Sequence, residues 1–394
     1  MNMQRFAHYY SIVAALILGA FIVAFSGHTT VPHTPEAPTS AASSTLAVVS
    51  GPVVSTTLDS RKSATTTRSG RTVPVPTRKE STASPAPALV PAPGTPLSTS
   101  TPPASESVSA PAPLPSSGNA AFDASATALR AALVNIICYA PAGSGLHSIS
   151  GSGVFIDPKG IILTNAHIAQ YFLLFNRGVS CTVRSGSPAV SRYSAKLIFI
   201  SSAWVHSNVG VLTEATPSGT GEYDFALLAV DASVTADPLP DSFPFVPLAA
   251  TPPSSGTPVV IASYGAQFLD LSQVQHSLFP TVVFGSIKNV FTFGTNTIDV
   301  LALGGSAAAQ EGSSGGGVSN AAGTLVGTIT TSTVQGATAT RSLSAITASY
   351  IRAEYASETG QALDLLLAES TSTAITNFAP QMPPLESVLT ATLP

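Results

Sequence analysis

From Val134 to about Ser344 the chain is cut into short β-type runs by glycine, proline and serine. No other feature narrows the choice of fold so far. The runs include "VNIICYA", "GSGVFID", "GIILTN", "SCTVRS", "AKLIFIS", "DFALLAV", "TPVVIASYG", "PTVVFGSI", "TIDVLALG", "GTLVGTITT" and "RSLSAIT". Each is rich in valine, isoleucine or leucine and stops at a residue that breaks regular structure. Many short strands at this spacing predict an all-β sandwich or a pair of barrels. Helical patterns flank them. "FDASATALRAALV" precedes the first strand, and "TASYIRAEYASETGQALDLLLAES" follows the last. In the second helix Thr347 suits the N-cap, and Tyr350, Ile351 and Tyr355 share a face.

The stretch ahead of this region has a different character. From His28 to about Gly118 it is dominated by Thr, Ser, Pro and Ala, with too few large side chains to offset its conformational entropy. It reads as a semi-extended stalk stiffened locally by proline. Arg61, Lys62, Arg68, Arg71, Arg78 and Lys79 form its one basic cluster. A solvated linker explains that cluster more simply than a contact with anionic envelope polymers. Further upstream, Arg5 precedes an apolar run from Tyr10 to Ser26 that contains no charged residue. That run is long enough to span a hydrocarbon core and reads as a membrane anchor. A signal peptide cleaved near Ala24-Phe25-Ser26 is the alternative. Either reading exports the rest of the chain.

The expected organisation is an anchor over residues 1–27, a stalk over 28–118, a folded domain over 119–370 and a C-terminal tail over 371–394. Within the domain, barrel one covers about 130–235, barrel two about 250–346 and a terminal helix about 347–368. The sequence leaves open whether the tail is loose or docked. With 9% charged residues and a net charge of −4, nothing points to nucleic acid. Two cysteines without a Cys/His cluster, and no phosphate-binding glycine loop, give no reason to expect a metal or cofactor.

Chemistry concentrates in three places. "EGSSGGGVSN" contains Gly312-Ser313-Ser314-Gly315-Gly316, a Gly-x-Ser-Gly-Gly pattern that selects Ser314 over Ser313. A nucleophilic serine needs backbone N–H groups aimed at a developing oxyanion, and glycine at 312 lets the N–H groups of Gly312 and Ser314 converge. Gly/Ser runs are common in this chain, so the pattern has little weight alone. "GIILTNAHIAQ" supplies a base, His167, directly after an apolar strand. His147, His206 and His276 lie in polar, loop-like settings, and His8, His28 and His33 in the anchor and stalk. A carboxylate must hold the correct imidazole tautomer. Asp224 in "GEYDFALLAV" is the aspartate that leads straight into a buried-looking strand. Asp157, Asp231, Asp237, Asp241, Asp270 and Asp299 read as turn residues or strand ends, and Asp123 as a helix cap.

Taken together, "GSGVFIDPKGIILTNAHIA", "YDFALLAV" and "EGSSGGGVSNAAGTLVGTITT" resemble the three catalytic blocks of trypsin-like serine peptidases. More narrowly they are similar to the bacterial HtrA/Deg group. The order His167, Asp224, Ser314, with separations of 57 and 90 residues, matches the chymotrypsin type. The resemblance spans roughly residues 130–368 and implies two six-stranded antiparallel β-barrels with the active site between them. It departs from the family in three ways. The residues after the terminal helix leave no room for a PDZ module. Gly317 stands where proline or alanine is common, with a small local effect expected. Ser313 stands where trypsin zymogens use aspartate to bind a freed N-terminus, which argues against activation by propeptide cleavage.

Carried over, the resemblance makes His167 the base, Asp224 its orienting partner, Ser314 the nucleophile, and the N–H groups of Gly312 and Ser314 the oxyanion hole. It places Ala308 at the floor of the specificity pocket, with Thr328, Ile329 and Thr330 along its wall or pairing with substrate backbone. No acid at the floor excludes a preference for Arg or Lys and favours a small or medium apolar residue before the cut. Cys138 and Cys181 fall in first-barrel strands and, in an exported protein, are expected to pair; two buried free thiols are the alternative. The implied protein is an exported, membrane-tethered serine endopeptidase acting on protein or peptide substrates, with its domain on the extracytoplasmic side, or secreted if the N-terminal segment is cleaved. Relatives in this group are often homotrimers, but no residues here specify a trimer interface. The rival reading is a catalytically silent binding or scaffold protein of the same fold, disfavoured because all three site residues survive. An esterase of the α/β-hydrolase type fails on chain order, since its histidine would come last.

Overall fold

The structure is a computed structural model that describes residues 116–214, 219–391 and 393. The apolar run of residues 10–26, the basic cluster and nearly all of the expected stalk lie outside the described residues. Among the described residues no helix is long and apolar enough to cross a membrane.

The first six β-runs close into a barrel. Its strands are β1 (Leu133–Tyr139), β2 (Ile149–Asp157), β3 (Ile161–Thr164), β4 (Ser180–Ser185), β5 (Val190–Ile200) and β6 (Ala226–Ser233). They are antiparallel in the order β1-β2-β3-β6-β5-β4, and β1 pairs with β4 to shut the ring. In that last pairing Cys138 stands opposite Cys181, and the two form a disulfide. Closure leaves no edge strand to template pairing with another chain.

The second half forms a sheet of seven strands where six are expected. These are β7 (Pro258–Ser263), β8 (Thr281–Ser286), β9 (Asn289–Phe291), β10 (Val300–Ala302), β11 (Gly317–Ser319), β12 (Leu325–Ser332) and β13 (Leu343–Thr347), in the order β8-β7-β11-β12-β13-β10-β9. The two end strands are consecutive in sequence, which explains the extra count. Ile287 still exchanges backbone hydrogen bonds with the approach to β7: its N–H donates to Thr257 and its carbonyl accepts from Gly256. The next N–H, that of Lys288, donates to Ala302 in β10. One bent run thus changes partner between two residues, and the chain itself joins the two ends of the sheet. Counted as one strand, β8 and β9 restore the six of a chymotrypsin-like double barrel.

Helices finish the domain. The helix Ala120–Ala132 is capped by Asn119, whose side chain accepts from Ala121 N–H. Asp123, expected as the cap, sits in the first turn and accepts from Ser117 instead. This helix packs against β2 of the first barrel and against β7 and β11 of the second. The Ser125 and Ser319 hydroxyls meet at 2.8 Å. Gly317 lies under the same helix, and a Cβ there would come within 2.7 Å of Leu129 and 2.9 Å of Val154. Both neighbours, like Leu325 beside them, meet it with side-chain methyls, which would have to shift to admit a larger residue.

Thr347 caps the helix Ala348–Thr359 through Tyr350 N–H, and Tyr350, Ile351 and Tyr355 are buried on its inner face. The expected single terminal helix is two, because Gly360 turns left-handed before the second, Leu363–Ala368. The C-terminal tail is docked. Its helices Thr371–Phe378 and Met382–Thr390 pack on β5 and β6 and on the turns at 170–177 and 202–207, burying Phe378, Leu385 and Leu389.

Candidate active site

Strand β3 ends at Thr164 and delivers His167 on a short helical turn, Ala166–Ala169. Asp224 lies two residues before β6, the strand paired beside β3, so the ladder itself sets the two side by side. The His167 ring donates from Nδ1 to Asp224 Oδ2 at 2.7 Å, and the His167 backbone N–H donates to Oδ1 at 3.0 Å. A third donor comes from the other barrel: the Thr330 hydroxyl reaches Asp224 Oδ2 at 2.7 Å. Burial alone would push the Asp224 carboxyl up. The adjacent His167 and the hydrogen bonds from His167 and Thr330 outweigh that and hold it below the usual carboxylate range. Asp224 is thus a fixed anion, while His167 keeps a quarter of its side chain exposed. Its Nδ1 is committed to Asp224, which leaves Nε2 as the nitrogen for proton transfer.

Backbone geometry ahead of Asp224 is unusual. Tyr223 has φ of 56°, a left-handed conformation that costs a bulky residue energy unless its surroundings enforce it. Its N–H donates to the Tyr350 hydroxyl oxygen at 3.1 Å, and Asn165 Nδ2 donates to the Asp224 carbonyl at 2.8 Å. These contacts fix where the carboxylate points.

The serine turn separates Ser313 from Ser314 clearly. Ser313 is 1% exposed, and its hydroxyl accepts from Ser263. Ser314 is only partly buried. Around it the backbone is tied on both sides: Ser152 N–H donates to the Ser314 carbonyl at 2.7 Å, and Gly315 N–H donates to Ile329 at 2.9 Å. Ser152 also donates from Oγ to the Gly312 carbonyl. Gly315 has φ of 83°, and a Cβ there would fall 1.9 Å from the Ser152 carbonyl oxygen, so only glycine fits. These ties put the Ser314 turn against Thr164, three residues before His167, and against Ile329, beside the Thr330 that holds Asp224. No hydrogen bond joins His167 to Ser314 among the described residues. Such contacts are often long without substrate and tighten in the complex.

The Glu311 carbonyl accepts from Ala266 N–H at 2.8 Å. A trans peptide carries its C=O and N–H on opposite sides, so this bond turns the Gly312 N–H the other way. Neither that N–H nor the one of Ser314 has a partner among the described residues. Two free donors beside a half-open serine hydroxyl are what an oxyanion site requires.

The four expected pocket residues are all buried: Ala308, Thr328, Ile329 and Thr330. Thr328 donates its hydroxyl to the Gly316 carbonyl, and Thr330 to Asp224. The polar ends of both threonines are therefore spent inside the protein. His147, His206 and His276 are exposed; His147 lies in a loop as expected, but His206 and His276 sit in the short helices Ser202–Ser207 and Leu271–His276 instead of loops. Sequence reasoning missed Ser152, Ala266 and Tyr350, and assigned Thr330 to a pocket wall. A strand residue two places after a buried threonine was the available sign that Thr330 faces inward.

Two barrels that share one histidine–aspartate pair and one glycine-rich serine turn define a chymotrypsin-type hydrolase scaffold. Residues 151–327 match the model of the trypsin-like peptidase domain family. No match was found among the curated proteins compared with it. Similar solved structures include the Rv3671c protease of M. tuberculosis in its active form, at 20% identity and a TM-score of 0.38 over 67% of this chain and 95% of that one. Its inactive form gives 20% identity and 0.38 over 64% and 98%, and an inactive serine-to-alanine mutant gives 19% and 0.37 over 65% and 97%.

Proposed function

We propose that this protein is a serine endopeptidase in which His167 deprotonates Ser314, Ser314 attacks the scissile carbonyl, and Asp224 holds and stabilises the imidazolium. Collapse of the tetrahedral intermediate, with His167 returning the proton to the leaving amine, gives an acyl-enzyme; water activated by the same histidine then releases it. The oxyanion would be met by the N–H groups of Gly312 and Ser314. The observation that carries this reading is the Glu311–Ala266 hydrogen bond, which leaves both N–H groups free beside a serine hydroxyl. Buried alanines at 308 and 309 support a small or medium apolar residue before the cut. The Cys138–Cys181 disulfide supports an oxidising compartment, and with the apolar run of residues 10–26 it supports export of a membrane-tethered domain acting on envelope proteins.

The test is labelling of the full chain with a fluorophosphonate probe, beside Ser314→Ala and Ser313→Ala. Labelling should survive Ser313→Ala and vanish with Ser314→Ala. A folded wild type that takes no label would reject the enzyme in favour of a binding protein on the same scaffold.

A further inference from the structure

Arg341 is only 5% exposed, and among the described residues it has no carboxylate partner. A buried cation is costly unless other dipoles replace its water. Here they are gathered from three segments far apart in sequence. Nη1 donates to Gln267 Oε1 at 2.6 Å and to the Ala309 carbonyl at 2.7 Å. Nε and Nη2 both donate to the Gly336 carbonyl, at 3.0 and 2.8 Å. Gln267 then donates from Nε2 to Val334, which closes the ring of contacts, and the Phe268 ring lies 5.6 Å from the guanidinium.

Two of these partners flank the bond that aims the oxyanion donors. Gln267 follows Ala266, and Ala309 stands two residues before Glu311. One guanidinium nitrogen therefore grips both strands of chain on which the Ala266–Glu311 hydrogen bond depends. Without that grip the peptide between Glu311 and Gly312 keeps only its neighbouring ties, Ser313 N–H to the Gln310 carbonyl and Ser152 Oγ to the Gly312 carbonyl, and would turn more easily. Rotation would swing a carbonyl oxygen to the place where negative charge develops and withdraw the Gly312 N–H. Lysine could not substitute, because a point charge on a flexible stem lacks the planar fork that spans three segments.

We propose that Arg341 is the positioning residue that keeps the Gly312 peptide turned for catalysis; this rests on the peptidase reading of the Ser314 turn. Two readouts on the full chain test it. Amide exchange at Ala266 reports the tie directly, and in a folded Arg341→Met variant its protection should fall at least tenfold more than that of amides in the first-barrel strands, which report any loss of global stability. Saturation kinetics of fluorophosphonate labelling report the donors. Because an oxyanion donor acts in the transition state, the maximal labelling rate should fall about a hundredfold while half-saturation moves less than threefold. Should Arg341→Met fail to fold, Gln267→Leu cuts one link and should give the same pattern in weaker form. Unchanged Ala266 protection in a folded variant overturns the proposal, whatever the labelling does. A wild type that takes no label would sink the peptidase reading alone, and the exchange result would still decide the role of Arg341.

Discussion

Replacing Thr330 by valine removes one hydroxyl, keeps the shape of the side chain and leaves the buried Asp224 carboxylate with two donors instead of three. The lost contact is 2.7 Å long and sits in a site where Asp224 is 5% exposed, so no solvent screening reduces it. Hydrogen bonds to charged groups contribute about 1.5–3 kcal/mol, and the valine variant should be less stable by that amount at neutral pH. For a domain of this size the melting temperature should drop by about 3–12 °C. The pH dependence has a definite sign. The folded Asp224 carboxyl lies below its unfolded value near 3.8, so its contribution is fully present above that value and is lost as pH falls through the folded one. Removing the Thr330 hydroxyl raises the folded value. The stability gap between wild type and variant should therefore be full at pH 7 and shrink only as pH falls through the folded carboxyl values, below 3.8. Thermal unfolding at pH 7 and pH 3, in a Ser314→Ala background to prevent self-digestion, gives the two numbers needed. No gap at pH 7, or a gap that widens at pH 3, would refute the view that the hydroxyl acts through the carboxylate charge.

Asp224→Asn should keep the fold but present the wrong imidazole tautomer. The labelling rate should fall by roughly the 10⁴-fold documented for the same substitution in the Ser-His-Asp enzymes that serve as its precedent, and a loss under tenfold would contradict the assigned role. Opening the Cys138–Cys181 bond, by reductant or paired serine substitutions, releases a separation of 43 residues and should cost about 4 kcal/mol, read as a lower urea midpoint. Phe378→Ala should cost about 3–5 kcal/mol because its ring is 4% exposed under the docked tail; a change under 1 kcal/mol would mean the tail is loose in solution.

His167, Asp224 and Ser314 were readable because each sits in a short pattern whose meaning is local: a strand end, a strand start, a glycine turn. Thr330, Ser152 and Arg341 were not, because their roles depend on contacts across 106, 160 and 74 residues that no local pattern encodes. The spacing of the β-runs likewise announced an all-β sandwich or a pair of barrels, and the resemblance chose the barrels. It could not show that residues 281–291 serve two neighbours at once, since both halves read as ordinary strand and the change of partner is made by the backbone of Ile287 and Lys288. The tail was ambiguous for a related reason. Its apolar residues are few, and only β5 and β6, for Phe378, and the segments 170–177 and 202–207, for Leu389, decide that they have somewhere to go.

The helix Ala120–Ala132 has a mechanical meaning. Any tension carried by the chain ahead of Asn119 enters the domain through this helix, which packs on β2 of the first barrel and on β7 and β11 of the second. Pulled from that end, the helix can leave only by giving up its contacts with both barrels. The load path also passes Gly317, three residues from Ser314. Force on the N-terminal side is thus delivered to the same few ångströms of backbone that hold the serine in place.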